Sequence, residues 1–281
     1  MLPLPLTDEK YELILTNALN NAVNMLSRNS EIYKGVLPED MIEEYIDKND
    51  GTENRLKMII GKVETKMPLN NYEVSYVNRA LVEYIDTLEL AQSHYIYMTE
   101  SEELSKIEKL RTLIEEVYVS QMRFNDEVIR NKMDKGFNSE ATYNPEIILK
   151  SLDLAVEYVL KNGEEIASTL SKEEQIEMKE HYLSRNDMAL YAINMAKDTI
   201  KMGRPLNPID VSVVNKAMVQ YIQKLETAQS NMIYTLDDMK DIALFKNKIE
   251  TVHFEMFKFN ESYPIPSMDL NPQQRARPPR P

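Results

Sequence analysis

Cysteine and tryptophan are absent from the chain, and glycine is scarce, at six residues in 281. Without cysteine there is no disulfide, no thiol nucleophile and no thiolate-ligated metal. Phosphate-cradling loops lean on glycine for positive φ and close backbone approach, so its scarcity argues against nucleotide-binding βαβ folds. Accordingly, no Gly-x-Gly-x-x-Gly, Walker-type loop or Gly-x-Ser-x-Gly elbow occurs. Apolar runs are also short. None approaches the roughly 18 residues of a membrane span, and the opening MLPLPLTDEK lacks a signal-peptide pattern. The expectation is a soluble cytoplasmic protein, or one made there and assembled into a virus particle.

Positive charge is in deficit. Lys and Arg total 33 against 46 Asp and Glu, a net charge of −13, which argues against general nucleic-acid binding through phosphate contacts. The imbalance is uneven: residues 262–281 hold Arg275, Arg277 and Arg280 against Asp269, so this segment is +2 and the body −15. That asymmetry marks the tail as a separate element.

What the chain does contain is a repeat. Residues 74–97 (VSYVNRALVEYIDTLELAQSHYIY) recur as residues 211–234 (VSVVNKAMVQYIQKLETAQSNMIY), with 15 of 24 positions identical. At helical spacing, Val77, Ala80, Tyr84, Leu88 and Ala91 form one apolar arc, matched by Val214, Ala217, Tyr221, Leu225 and Ala228. A second retained arc mixes polar and apolar residues: Ser75, Asn78, Val82, Ile85, Glu89, Gln92, Ser93 and Ile96. Most differing positions, including Arg79/Lys216, Asp86/Gln223 and His94/Asn231, fall on the remaining face, which reads as solvated. Two constrained stripes imply a helix with neighbours on two sides.

The repeat extends in both directions. Thr7 caps a helix carrying Leu15, Ala18, Leu19, Ala22, Val23 and Leu26; Asn144-Pro145 opens its counterpart. A second helix is expected from near Pro38 to the Asn49-Asp50-Gly51 break, and its equivalent is opened by a Ser171–Glu174 capping box. Third helices, residues 53–66 and 186–202, are each closed by Pro-Leu-Asn, and Asn70 with Glu73 and Asn207 with Asp210 then cap the central helices. Thr99 and Thr235 start fifth helices, residues 102–135 and 237–260. No segment shows strand alternation between hairpin turns. The fold expected is all-α: two tandem copies of a roughly five-helix bundle, residues 1–135 and 144–260, a linker at 136–143, and extended Pro-rich termini including a tail at 261–281.

Candidate chemistry is thin. A carboxylate-bridged metal site in a bundle would need repeated Glu-x-x-His; only Glu250–His253 has that form, its counterpart being Glu115–Tyr118. Glu177 and His181 sit in a charge-rich stretch, and His94 lies on the variable face. Neither a metal nor another cofactor is expected, and the chain reads as non-enzymatic. Glu89 and Glu226 become paired carboxylates only if the central helices approach each other. The candidate contact residues are Asn78, Glu89 and Gln92 with Asn215, Glu226 and Gln229, then Phe254, Phe257 and Phe259, then Arg275, Arg277 and Arg280 of the tail. The polar six either satisfy groups inside the bundle or meet a partner. The tail also matches a loose Arg-x-x-Pro-x-x-Pro at Arg275, Pro278 and Pro281, the form that SH3-type grooves take.

Three functions follow as expectations. The first is a structural or assembly protein, a repeated homo-oligomeric subunit whose tail docks on a neighbour, as in a bacteriophage virion or connector. The second is an adaptor holding a peptide or protein between the bundles. The third is a helical-bundle metalloprotein.

Overall fold

The computed structural model describes residues 6–37, 39–96, 101–134, 143–170, 176–235 and 239–262. Among them are eight helices: α1 (Asp8–Val36), α2 (Glu39–Glu64), α3 (Asn71–Ile96), α4 (Ser101–Asp134), α5 (Pro145–Thr169), α6 (Ile176–Lys201), α7 (Pro208–Thr235) and α8 (Met239–Ser262). The all-α expectation therefore holds for the described residues. The Ser171–Glu174 capping box, the turns at Thr99 and after Thr235, the linker up to residue 142, both Pro-rich termini and the three tail arginines lie outside them.

Among the described residues each half has four helices, not five. The expected break at Asn49-Asp50-Gly51 is helical, inside α2. The Asn49 side-chain amide is turned to α1, where it donates to Ser30 Oγ at 3.0 Å instead of capping a new helix. The Thr52 hydroxyl donates back to the Lys48 carbonyl at 2.9 Å. A glycine inside a helix costs only about 1 kcal/mol, less than the loss of the packing that keeps Leu56 and Ile59 buried downstream. The counterpart tripeptide Asn186-Asp187-Met188 lacks the glycine and is helical too. The third helix expected at residues 186–202 is likewise the second part of α6.

Other signals read as expected. Thr7 Oγ1 accepts from the Lys10 N–H, and Asn144 Oδ1 from the Glu146 N–H. Asn70 and Glu73 exchange hydrogen bonds of 2.7 and 3.0 Å, and Asn207 and Asp210 exchange bonds of 3.1 and 2.9 Å. These are reciprocal capping boxes, each satisfying two otherwise orphan backbone donors. At the ends of α2 and α6 the chain reverses through a left-handed residue, Lys66 at φ 55° and Gly203 at φ 61°. In both places the next N–H reaches back to a carbonyl five residues earlier, from Met67 to Lys62 and from Arg204 to Thr199, a Schellman closure.

The first half packs Leu15, Leu19, Ile59, Leu81, Ile85 and Ile114 into one core; the second packs Ile148, Leu152, Ala196, Met218, Ile222 and Phe259 into another. The cores are not sealed from each other. Val82 of α3 and Ile129 of α4 belong to the second half's cluster. The halves thus meet along α3 and α4 on one side and α7 and α8 on the other.

Candidate functional site

The contact between the halves is a polar seam inside an apolar surround. Asn78 on α3 and Asn125 on α4 exchange amide hydrogen bonds of 3.0 Å in each direction. The second donor of Asn78 goes to the Val74 carbonyl at 3.2 Å. That of Asn125 crosses to the other half, reaching Ser212 Oγ on α7 at 2.9 Å. The second half repeats the arrangement. Asn215 and Asn260 exchange bonds of 3.1 and 2.8 Å, and Asn260 donates across to Ser75 Oγ on α3 at 3.0 Å. All six side chains are buried. Ser75 and Ser212 are counterparts, as are Asn78 and Asn215, and Asn125 and Asn260, so the two crossings are reciprocal.

One position meets its own counterpart: Gln223 Nε2 donates to Asp86 Oδ2 at 3.1 Å. A contact of this kind lies on the two-fold that relates the halves. Burial raises the Asp86 carboxyl above its ordinary range, with Lys216 and the Gln223 bond pulling partly the other way.

Flanking this point are two charged pockets, in each of which one half inserts a cation into the other. Arg79 on α3 holds Glu83 at 2.6 Å, donates to His253 Nε2 at 2.9 Å and reaches Glu226 at 3.4 Å. Since Nε2 accepts, the imidazole is neutral with its proton on Nδ1. Burial, then the charges of Arg79 and Lys48, push its pKa down to about 3. In the mirror pocket, Lys216 on α7 donates to Tyr118 Oη. The phenol in turn donates to Glu89 at 3.3 Å, which also faces Arg185 of α6 at 3.6 Å. Burial alone would depress Lys216, but Tyr118, Glu89 and Asp86 together hold it above the usual lysine range.

The face carrying Arg79, Lys216, Asp86 and Gln223 is therefore a contact surface, which corrects its reading as solvated. Arg/Lys exchange looks like surface drift, yet each cation is matched to a different acceptor across the seam. Glu89 and Glu226 are not a carboxylate pair; each is held by a cation of the opposite half. Gln92 is buried and donates to the Ile107 carbonyl at 3.1 Å, and Gln229 is buried at the counterpart position.

The aromatic residues of α8 divide by direction. Phe259 is fully buried, its ring edge-on to Tyr143 at 5.5 Å. Phe257 crosses the seam to pack at a tilt against Tyr72, ring centres 4.8 Å apart, and Tyr76, 6.1 Å apart. Phe254 is exposed, with the Lys258 ammonium 4.5 Å from its ring centre.

Glu250 faces out while His253 faces in, so the single Glu-x-x-His does not converge on a point. Among the described residues no group of three or more His, Asp and Glu side chains could hold a metal ion, and no helix is long and apolar enough to cross a membrane. No known family, characterised protein or solved structure matches the chain.

Sequence reasoning missed Asn125, Asn260, Tyr118 and Arg185. A signal for the first two was present: Arg123-Phe124-Asn125 and Lys258-Phe259-Asn260 align as one motif in the paired helices.

Proposed function

We propose that this chain is a non-enzymatic structural or assembly protein, working as a repeated subunit of a larger complex. The observation that supports this most is how the best-retained polar residues are used. Ser75 and Ser212 accept from the opposite half and donate to their own helices, and Asn78 and Asn215 bond to their own helices and to the asparagines that make those crossings. A catalytic site would need such groups turned toward a substrate cavity. Two four-helix units locked by a buried polar seam make a stiff block, because fully satisfied networks of this kind fix register.

The acidic body and the basic segment after Ser262 fit contact between copies, with Arg275, Arg277 and Arg280 docking on a neighbour's acidic surface. A bacteriophage particle or connector is one setting that suits such a block. Native mass spectrometry of the protein purified from its source tests the reading. Oligomers or a stable protein partner are expected, and a clean monomer at high concentration with no partner would overturn it. Truncation after Ser262 is expected to weaken assembly; unchanged assembly would take the tail out of the proposal.

A further inference from the structure

Internal duplication supplies its own control: a surface feature present on one copy and absent from the other is not demanded by the fold. Helices α2 and α6 are counterparts of equal length, 26 residues each. Their core-facing residues correspond, Leu56 with Ile193 and Ile59 with Ala196, all buried. Their outer faces do not. On α6 and the turn closing it, Met188, Tyr191, Met195 and Met202 are 63%, 70%, 45% and 60% exposed. They take the a, d, a and a positions of successive heptads, the seam of a helix pair, while exposed Asp198 holds the second d position. The counterparts on α2 are Gly51, Asn54, Met58 and Thr65, of which only Met58 is apolar.

We infer that the outer face of α6 is the contact for a second copy of this chain, packed antiparallel across a two-fold axis. The charges beside the stripe select both the occupant and the direction. Asp187, Asn194 and Lys201 occupy the flanking heptad position, one turn-pair apart, and all are exposed. In an antiparallel helix pair this position meets itself in reverse order. Asp187 then faces the partner's Lys201, Lys201 faces the partner's Asp187, and Asn194 meets its own copy on the axis. Tyr191 packs against the partner's Met195 in the two central layers. A parallel pair would set Asp187 against Ala192 and gain no ion pair.

On α2 the corresponding residues are Asp50, Lys57 and Glu64; in the same arrangement Asp50 would face Glu64 and Lys57 its own copy, and each contact would repel. One self-complementary face per chain closes as a dimer, whereas two would propagate a filament. The contact is small, a single helix pair, so it belongs among weak, concentration-dependent interfaces.

This inference names the copy-to-copy contact of the proposed assembly subunit and rests on that reading. The absence of native cysteine makes the test clean. Asn194→Cys in the full chain is expected to form a disulfide-linked dimer under mild oxidation, while Lys57→Cys, its counterpart on α2, stays monomeric. By sedimentation equilibrium, Tyr191→Glu is expected to raise the dimer dissociation constant at least tenfold. Lys201→Glu should weaken the dimer, and Asp187→Lys added to it should restore it. Cross-linking at Lys57→Cys as fast as at Asn194→Cys, or no rescue by the charge swap, overturns the contact. If oligomers persist in Tyr191→Glu, the assembly reading survives and only the α6 face falls. A wild-type chain that stays monomeric at every concentration overturns the contact outright, and the assembly reading then stands or falls on its protein partner.

Discussion

In one pocket of the seam a guanidinium meets an imidazole; in the other an ammonium meets a phenol. The two sites descend from the same position in each copy, since Arg79 and Lys216 correspond, as do His253 and Tyr118, and Glu226 and Glu89. Each pocket solves one problem, a cation from one half set half-buried against the other, with different chemistry. Arg79 spreads its donors over Glu83, His253 and Glu226. Lys216, a point charge, uses Tyr118 as a relay to Glu89. Residues that look freely exchanged along one helix have therefore changed in step with a residue on a different helix of the other half.

The Asn networks are the part of the seam that diverged least, and removing one member should cost most. Asn125→Ala removes a bonding partner from Asn78 and Ser212, leaving Asn78 Oδ1 only Gln121 at 3.5 Å, and Asn260→Ala removes one from Asn215 and Ser75, where Met256 stands in the place of Gln121. An unsatisfied buried amide costs roughly 1–3 kcal/mol on top of the lost bonds, so each variant should lose about 3 kcal/mol in urea unfolding. The losses should agree within about 1 kcal/mol, because the networks are reciprocal. A loss confined to one variant would show that the halves do not share the seam equally.

Next in size is the response to acid, where the pockets should part company. His253 has a folded pKa of about 3 against an ordinary 6.5. A depressed histidine is neutral when folded, so the unfolded chain binds the extra proton as pH falls below the ordinary value. Stability is then lost on acidification, at most 1.36 kcal/mol per pH unit, or about 3 kcal/mol between pH 6.5 and 4. Burial and the positive charges of Arg79 and Lys48 hold the imidazole in this state, while Glu226, 4.0 Å from Nε2, pulls the other way. Asp86 opposes the trend, because a raised carboxyl adds stability as pH falls toward its unfolded value. His253→Tyr, which copies the other pocket, should flatten the acid side of the curve while barely moving neutral stability. An unchanged acid slope would place the sensitive group elsewhere.

At the axis, Gln223→Asp would set two carboxylates face to face. Like charges at hydrogen-bond distance cannot both ionise comfortably, so the variant should lose about 2 kcal/mol at neutral pH and recover on mild acidification. A pH-independent loss would mean that packing, not charge, is at issue.

Much of this architecture was legible in the sequence. The capping boxes at Asn70 and Asn207 are local, read from residues three apart, and both formed as written. The Asn-Asp-Gly signal misled because it too is local. Its preference is small, and packing against α1 overrode it; the helical counterpart Asn186-Asp187-Met188 already hinted that no break was needed. The seam was only half visible. Retention marked Ser75 and Asn78 as constrained, but their partners Asn125 and Asn260 lie on other helices, and burial of Arg79 depends on which helix covers it. That information is tertiary, and helical periodicity along a single element cannot contain it.

Smaller differences between the copies sharpen the same comparison. The helix ends at Lys66 and Gly203 share a left-handed backbone, which costs a side chain roughly 1–2 kcal/mol and glycine almost nothing. Gly203→Ala should destabilise by about 1 kcal/mol and Lys66→Gly should stabilise by a similar amount, less the exposed ion pair of Lys66 with Glu12. Thermal unfolding of the two variants should move in opposite directions. Equal shifts of one sign would break the equivalence of the two closures.

The last asymmetry lies at the rim of the seam. Glu44 of α2 pairs with Lys246 of α8, and the counterparts of these residues are His181 of α6 and Arg111 of α4. There the attraction is gone. His181 Nε2 is buried without a hydrogen-bond partner, and burial, then Arg111 and Arg185, lower its pKa, so it stays neutral beside the two cations. His181→Glu would rebuild the missing pair with Arg111 and remove the orphaned nitrogen. The site is partly exposed, so the gain is that of a surface ion pair, about 0.5 kcal/mol. Its sign is the informative quantity, and salt should erase it. A loss of stability on this substitution would mean that the imidazole fills space a carboxylate cannot, and that the two rims have become different structures.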